Sequence, residues 1–196
     1  MAVKKDKNTG TWKWTHAWAH LRTVHRHRKL VRRYCFRVGL KWQGLIHDLS
    51  KYSPTEFSVG VRYYQGNRSP NNAEREATGV TKAWLHHKGR NKHHYEYWID
   101  YDIEKRTDPP LCGMKMPKRY VVEMAMDRIA ACKVYQGRNY HDGAPLEYLN
   151  AGISYNLMHP ETAALLEKIL TRLAEEGEEQ MFLFVREEVL SDSYSY

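Results

Sequence analysis

The chain has little with which to build a cross-linked scaffold. Only three cysteines occur in 196 residues (Cys35, Cys112 and Cys132), and no two of them form a C-x-x-C pair. An odd count with that spacing argues against both a zinc knuckle and a disulfide framework. Cys35 and Cys132 fall instead within apolar helical patterns, as small buried hydrophobes do. β-Branched residues never alternate with polar ones over a useful length, so strands are not expected and the fold class is all-α. No apolar run approaches the ~18 residues that a bilayer requires, so no membrane association is expected. The opening residues Met1-Ala-Val-Lys-Lys-Asp-Lys-Asn8 lack the apolar core of a signal peptide, and a cytoplasmic location is the expectation. Repeats, low-complexity tracts and Gly/Ser linkers are missing too. The expected organisation is a flexible basic N-terminus (1–14), one helical domain (15–190) and a polar tail (191–196).

What is present is charge, unevenly spread, and histidine. Residues 1–42 carry twelve Lys/Arg against one Asp, whereas residues 161–190 carry eight Glu against three Lys/Arg. The basic end would attract phosphate-bearing partners, nucleic acid included. A solvated helix face accounts for the same charges. The eleven histidines are the more informative excess.

Helix signals recur along most of the chain. From Thr15 to Val38, His20, Val24, His27, Val31, Tyr34, Cys35 and Val38 repeat at three- and four-residue spacing, and Gly39 supplies a stop. A short apolar helix leads into His47-Asp48. Ser53-Pro-Thr-Glu56 reads as a helix start, with Ser53 as N-cap, Pro54 in the first turn and Glu56 completing a capping box. Gln65 to Asn72 is a loop. Helix is expected from Ala73 through His87, broken near Gly89, then resuming through His94 and Trp98 to Ile103. After the loop Thr107-Asp-Pro-Pro110, Pro117 opens a helix to Tyr135. Turns follow from Tyr140 to Pro145. Further helices are expected at Leu146–Tyr155, at Pro160–Glu176 stopped by Gly177, and at Glu179–Leu190.

The strongest chemical signal is Gly44-Leu-Ile-His-Asp-Leu-Ser-Lys51. Neutral imidazole and carboxylate are good ligands for Zn, Mn, Fe or Ni. Leu45, Ile46 and Leu49 suggest that this backbone is buried, so that Asp48 needs a partner. Lys51, one turn on, would face the same cavity and hold a phosphate oxygen. A buried His47–Asp48 hydrogen bond without metal explains the dipeptide equally well. His27 lies on the apolar stripe of the first helix, and Asp127 shares a helix face with Tyr120, Met124, Ala131 and Val134. A carboxylate on such a face is costly unless paired or coordinated, which makes a shared site more credible. His86, His87, His93 and His94 put four imidazoles into nine residues, with Arg90 and Lys92 between the pairs. At least one of the four is expected at the metal centre. Trp84, Tyr95, Tyr97, Trp98 and Tyr101 read as core at helical spacing, with base stacking the alternative. The loop Gly66 to Pro70 could close over a substrate.

The order His27, His47-Asp48, Asp127, with Lys51 after the pair, resembles the HD-domain metal-dependent phosphohydrolase superfamily. The stretch from His20 to Leu170 also resembles an uncharacterised bacterial and phage family. That likeness rests on His47-Asp-Leu-Ser-Lys-Tyr-Ser-Pro-Thr-Glu-Phe57 and on Ala83-Trp-Leu-His-His-Lys-Gly-Arg-Asn-Lys-His-His-Tyr-Glu-Tyr-Trp98. The superfamily likeness implies a helical bundle of HD-domain type and a first divalent metal (Mn, Fe, Zn, Ni or Mg) on His27, His47, Asp48 and Asp127, with His20 a reserve for His27. It further implies second-metal ligands among His86, His87, His93 and His94. The activity implied is hydrolysis of a phosphomonoester, phosphodiester or nucleotide, with Asp48 and Lys51 catalytic and Lys51, Arg90 and Lys92 on the substrate phosphate. Two other readings stand beside it. One is a non-enzymatic, metal-stabilised module whose basic first helix binds nucleic acid or an acidic partner. The other is a degenerate hydrolase fold that only binds a nucleotide.

Overall fold

The computed structural model describes residues 10–104, 106–152 and 157–196. Among these the elements run α1 (Trp14–Arg37), α2 (Lys41–Ile46), α3 (Pro54–Arg62), α4 (Pro70–Thr78), α5 (Lys82–Lys88), β1 (Ile99–Tyr101), β2 (Leu111–Gly113), α6 (Lys118–Gln136), α7 (Ala144–Ala151) and α8 (Pro160–Phe184). The all-α class read from the sequence holds in its coarser form: the described residues are mostly helical, with one two-stranded sheet that was not expected. Most of the N-terminal segment 1–14 and the end of the expected helix Leu146–Tyr155 lie outside the described residues.

α1 forms as its periodicity predicts. It buries Ala17, His20, Val24, His27, Val31, Tyr34 and Cys35 on one stripe and leaves Arg22, Arg26, Lys29, Arg32 and Arg33 exposed. α6 is different: it is buried around much of its circumference, from Val121 through Met126 and again at Ile129, Ala130 and Cys132. Burial on more than one face marks it as the central helix of the domain. It packs against α1 on one side and α8 on another. One contiguous apolar cluster runs from Val31 of α1 through α6 to Val189, just beyond α8. Gly177, at φ 80° and ψ 176°, interrupts the long last helix at the residue read as a stop. Cys35 and Cys132 are buried free thiols, as expected.

Three expectations are corrected. The helix expected over Ala73–His87 is two helices, because Gly79 takes a left-handed conformation (φ 82°) that ends α4 and Thr81 caps a new start. The helix expected to resume through Trp98 to Ile103 is instead a 3-10 turn at Tyr95–Trp98 followed by β1. That strand pairs antiparallel with β2 in the register Ile99↔Gly113, Asp100↔Cys112, Tyr101↔Leu111. The Thr107–Pro110 reversal brings the second strand alongside, so tertiary pairing overrides a weak local helix preference. Finally, Leu45, Ile46 and Leu49 do not bury the backbone around the His-Asp pair: their side chains are exposed. α2 buries only Gly44, which lies so close to α1 that an added Cβ would sit 3.0 Å from Cys35 Cβ and 3.2 Å from Arg32 Cα.

A second close approach shapes the region near the site. A Cβ on Gly60 of α3 would fall 2.0 Å from His20 Nε2. The His20 ring is held between Phe57 (centroids 5.3 Å) and Tyr64 (6.0 Å), so it has little room to retreat. Gly60→Ala should therefore destabilise the protein by about 1–3 kcal/mol, although alanine is the better helix former. A thermal melt showing equal or higher stability would mean that the ring can move.

Candidate metal centre

Four segments bring the site together. α1 contributes His27, the α2–α3 connection His47, Asp48 and Lys51, α5 and the turn after it His87, His93 and His94, and α6 Glu123 and Asp127. Two adjacent residues ordinarily point apart. Here Asp48 adopts φ 53° and ψ 28°, the one non-glycine residue with positive φ among those described. That left-handed turn costs energy for any side-chain-bearing residue, least for Asp and Asn. It swings the carboxylate back so that Asp48 Oδ2 lies 3.3 Å from His47 Nε2. Arg28 secures the connection from outside, with Nε donating to His47 O (2.7 Å) and Nη2 to Leu45 O (3.0 Å). A cation at the C-terminal end of α2 satisfies carbonyls that the helix leaves free.

The donor atoms form two sets that share Asp48. In the first, His27 Nε2 lies 3.4 Å from His47 Nε2, 3.4 Å from Asp48 Oδ2 and 3.0 Å from Asp127 Oδ1. His47 Nε2 lies 3.3 Å from Asp48 Oδ2 and 3.5 Å from Asp127 Oδ1. Donors bonded to one ion at about 2.1 Å stand roughly 3.0–3.4 Å apart, so these spacings are close to those of a coordination shell. In the second set Asp48 Oδ1 lies 3.3 Å from His87 Nε2 and 3.5 Å from His93 Nε2, and His94 Nε2 lies 2.9 Å from His87 Nε2. Asp48 therefore turns one oxygen to each set.

The residues fit a cation by a second test. Asp48 Oδ1 and Oδ2 and His93 Nε2 are buried atoms without a hydrogen bond of proper geometry. Leaving a buried carboxylate and imidazole so exposed to desolvation is costly unless something else coordinates them. Lys51 stands beside the carboxylate, its Nζ 2.5 Å from Asp48 Oδ2.

The electrostatics agree. Burial alone would lower the pKa of His47, but Asp48, Asp127 and Glu123 outweigh it and hold the imidazole well above its ordinary value. Burial would likewise raise Asp48, yet His47, Lys51 and His87 hold it well below the usual carboxylate range. Asp127 is lowered in the same way by His27 and His47. His94 is pushed down, first by burial and then by His93 and His87, so it is neutral and ready to donate a lone pair.

Two glutamates that sequence reasoning did not place at the site complete it. Glu123 Oε1 accepts from His47 Nδ1 at 2.9 Å, and His93 Nδ1 lies 3.2 Å from the same oxygen. Glu56 Oε1 and Oε2 accept from His86 Nδ1 (2.7 Å) and His87 Nδ1 (2.8 Å). The Glu56 backbone N–H does donate to Ser53 Oγ (3.4 Å), so the N-cap is present, while its side chain is spent on the histidines. Glu123 stands one helical turn before Asp127, a spacing that would have pointed to it.

Of the residues expected at the site, His27, His47, Asp48, Asp127, His87, His93 and His94 converge there. His86 does not join either set. His20 lines the adjoining cleft rather than the donor cluster. Its pKa is lowered to about 4 by burial and by Lys51. Arg90 and Lys92 are exposed and do not line the cleft; Arg90 Nη1 donates to His86 O and Lys92 Nζ lies over the Tyr97 ring. Arg75 and Arg128 line it in their place. The cleft has a volume of ≈ 650 Å³, with His27, Lys51, His87 and Asp127 in its wall. Asn67 to Pro70 forms part of the rim, and Trp84 and Tyr95 also line it, whereas Tyr97 and Tyr101 are exposed.

With this arrangement in view, a family profile matches residues 16–172, a span holding every residue of the two sets. The chain belongs to the family of unknown function DUF5662. No curated protein and no solved structure matches it. The DUF5662 match covers both motif segments quoted above, and the family description names no reaction.

Proposed function

We propose that the chain is a metal-dependent phosphohydrolase of HD-domain type, acting on a phosphomonoester, phosphodiester or nucleotide. The observation that carries the reading is Asp48, buried, without a proper hydrogen bond, and facing a histidine-rich donor set with each of its two oxygens. Divalent ions bound there would polarise a phosphoryl oxygen and supply a hydroxide nucleophile near neutral pH. His27, His47, Asp48 and Asp127 would hold one ion, and Asp48, His87, His93 and His94 the other. Lys51 lies beside Asp48 in the cleft wall, placed to neutralise charge on the phosphate, and Arg75 and Arg128 offer further cationic contacts. Trp84 and Tyr95 give the cleft an aromatic wall suited to a substrate with an apolar body.

The exposed cations of α1 favour a second reading, a metal-stabilised module that binds nucleic acid. The cleft argues for the first, because a purely structural ion needs no opening of ≈ 650 Å³ beside it. The deciding experiment is elemental analysis of the purified protein followed, on the same sample, by a phosphatase, phosphodiesterase and nucleotidase screen. One or two ions per chain together with turnover support the proposal. Salt-dependent DNA or RNA binding with no turnover of any phosphoester would replace it with the module.

A further inference from the structure

An imidazole that binds a metal through Nε2 keeps its proton on Nδ1, and the acceptor of that proton fixes both tautomer and ring plane. The two glutamates supply those acceptors unequally. Glu56 serves one ligand, His87, through Oε2, and spends Oε1 on His86, which belongs to neither set. Glu123 serves two, through a single oxygen. His47 of the first set lies 2.9 Å from Oε1 and His93 of the second set 3.2 Å. The two rings lie against each other at a tilt, with centroids 4.4 Å apart and planes inclined by 35°. The sets are thus joined twice: at their donor atoms by Asp48, and behind the rings by Glu123.

We infer that Glu123 is a positioning residue that couples the two halves of the centre, so that loss of its acceptor oxygen weakens both ions together, whereas Glu56 governs the second ion alone. The inference rests on the metal-dependent reading above. His47, His93 and Glu123 are themselves close enough to be taken for a ligand cluster. The free atom decides against that. His93 Nε2 is the buried nitrogen without a partner, and it faces Asp48 Oδ1. Its Nδ1, facing Glu123, is already engaged. Glu123 also sits on α6 a turn before Asp127, so one rigid helix carries both a first-set ligand and the group that orients His47 and His93.

The test is a Mn²⁺ titration of the metal-free full-length chain, with bound metal counted by elemental analysis, for the wild type, Glu123→Gln and Glu56→Gln. Gln keeps the shape but offers a neutral oxygen to at most one imidazole well. Wild type should take up two ions. In Glu123→Gln both affinities should fall about 10–100-fold, while the metal-free protein stays folded at the temperature of the titration, as its helical circular dichroism reports. Glu56→Gln should weaken one ion and spare the other. If wild type binds two ions and Glu123→Gln loses one or neither, or if Glu56→Gln weakens both equally, the coupling role is wrong while the metal reading survives. If wild type binds none, the metal reading itself fails; if it binds one, the coupling fails alone. Should Glu123→Gln not fold, Glu123→Asp, which keeps the charge but withdraws the oxygen, is measured the same way and must also weaken both ions.

Discussion

Asp48→Ala is expected to abolish metal binding at both sets and, with it, phosphoester hydrolysis, by a factor on the order of 10³ or more. The size follows from geometry. Asp48 is the one residue common to the two sets, with Oδ2 facing His27 and His47 and Oδ1 facing His87 and His93. Removing it takes a ligand from each ion and also deprives Lys51 of its partner. His27→Ala, by contrast, removes a ligand from the first set only and should leave one ion bound. The stability of the metal-free protein separates chemistry from folding. Breaking the buried pairing of Asp48 with Lys51 and His47 should destabilise that form by about 3–5 kcal/mol, and alanine tolerates the positive φ less well than aspartate. Asp48→Gly loses the same pairing but relieves the backbone and should melt no lower than Asp48→Ala. If Asp48→Ala still carries two ions per chain, or turns over substrate at an undiminished rate, the shared-ligand arrangement is wrong.

How much of this could be read from the sequence differs by feature. The α1 stripe was legible because a 24-residue helix repeats its apolar spacing many times, and that placed His27 correctly inside. Asp127 was legible for the same reason. The region from His86 to Ile103 was not. Its conformation changes every few residues, from α5 to a turn, a 3-10 turn and a strand, so no period is long enough to register. Which of its histidines turn inward is set by Glu56 and Asp48, residues 30 or more positions away in sequence. Leu45 and Ile46 show that apolar content is not burial: both are exposed, and the pair after them turns inward at a left-handed residue that composition does not reveal. Glu56 was hidden behind a helix-start motif of which it satisfies only the backbone half. Its backbone serves the cap, and its carboxylate serves the site.

Metal uptake should release a proton and strengthen with pH. In the metal-free protein His47 is held protonated at neutral pH by Asp48, Asp127 and Glu123, and an ion can take Nε2 only when one ring proton leaves. Below the folded pKa of His47 the apparent affinity of the first ion should rise about tenfold per pH unit. Calorimetry in buffers of different ionisation heat would count the proton directly; a heat independent of buffer would rule the displacement out. The stability of the metal-free form runs the other way. His47 has its pKa raised on folding, so its stabilising contribution is fully present below the unfolded value of ~6.5 and is lost as pH rises through the folded value. Asp48, Asp127, Glu123 and Glu56 have theirs lowered. Their contribution is present above the unfolded value of ~4 and is lost as pH falls through the folded values. The metal-free cluster therefore supports the fold best between about pH 4 and 6.5. Above the folded pKa of His47 the imidazolium that stood in for a metal cation is gone, and the carboxylates then face one another beside Lys51. It is there, on the alkaline side, that added Mn²⁺ should raise the melting temperature most, and a metal-induced shift that shrinks from pH 6 to pH 8 would contradict the assignment of His47 as a ligand.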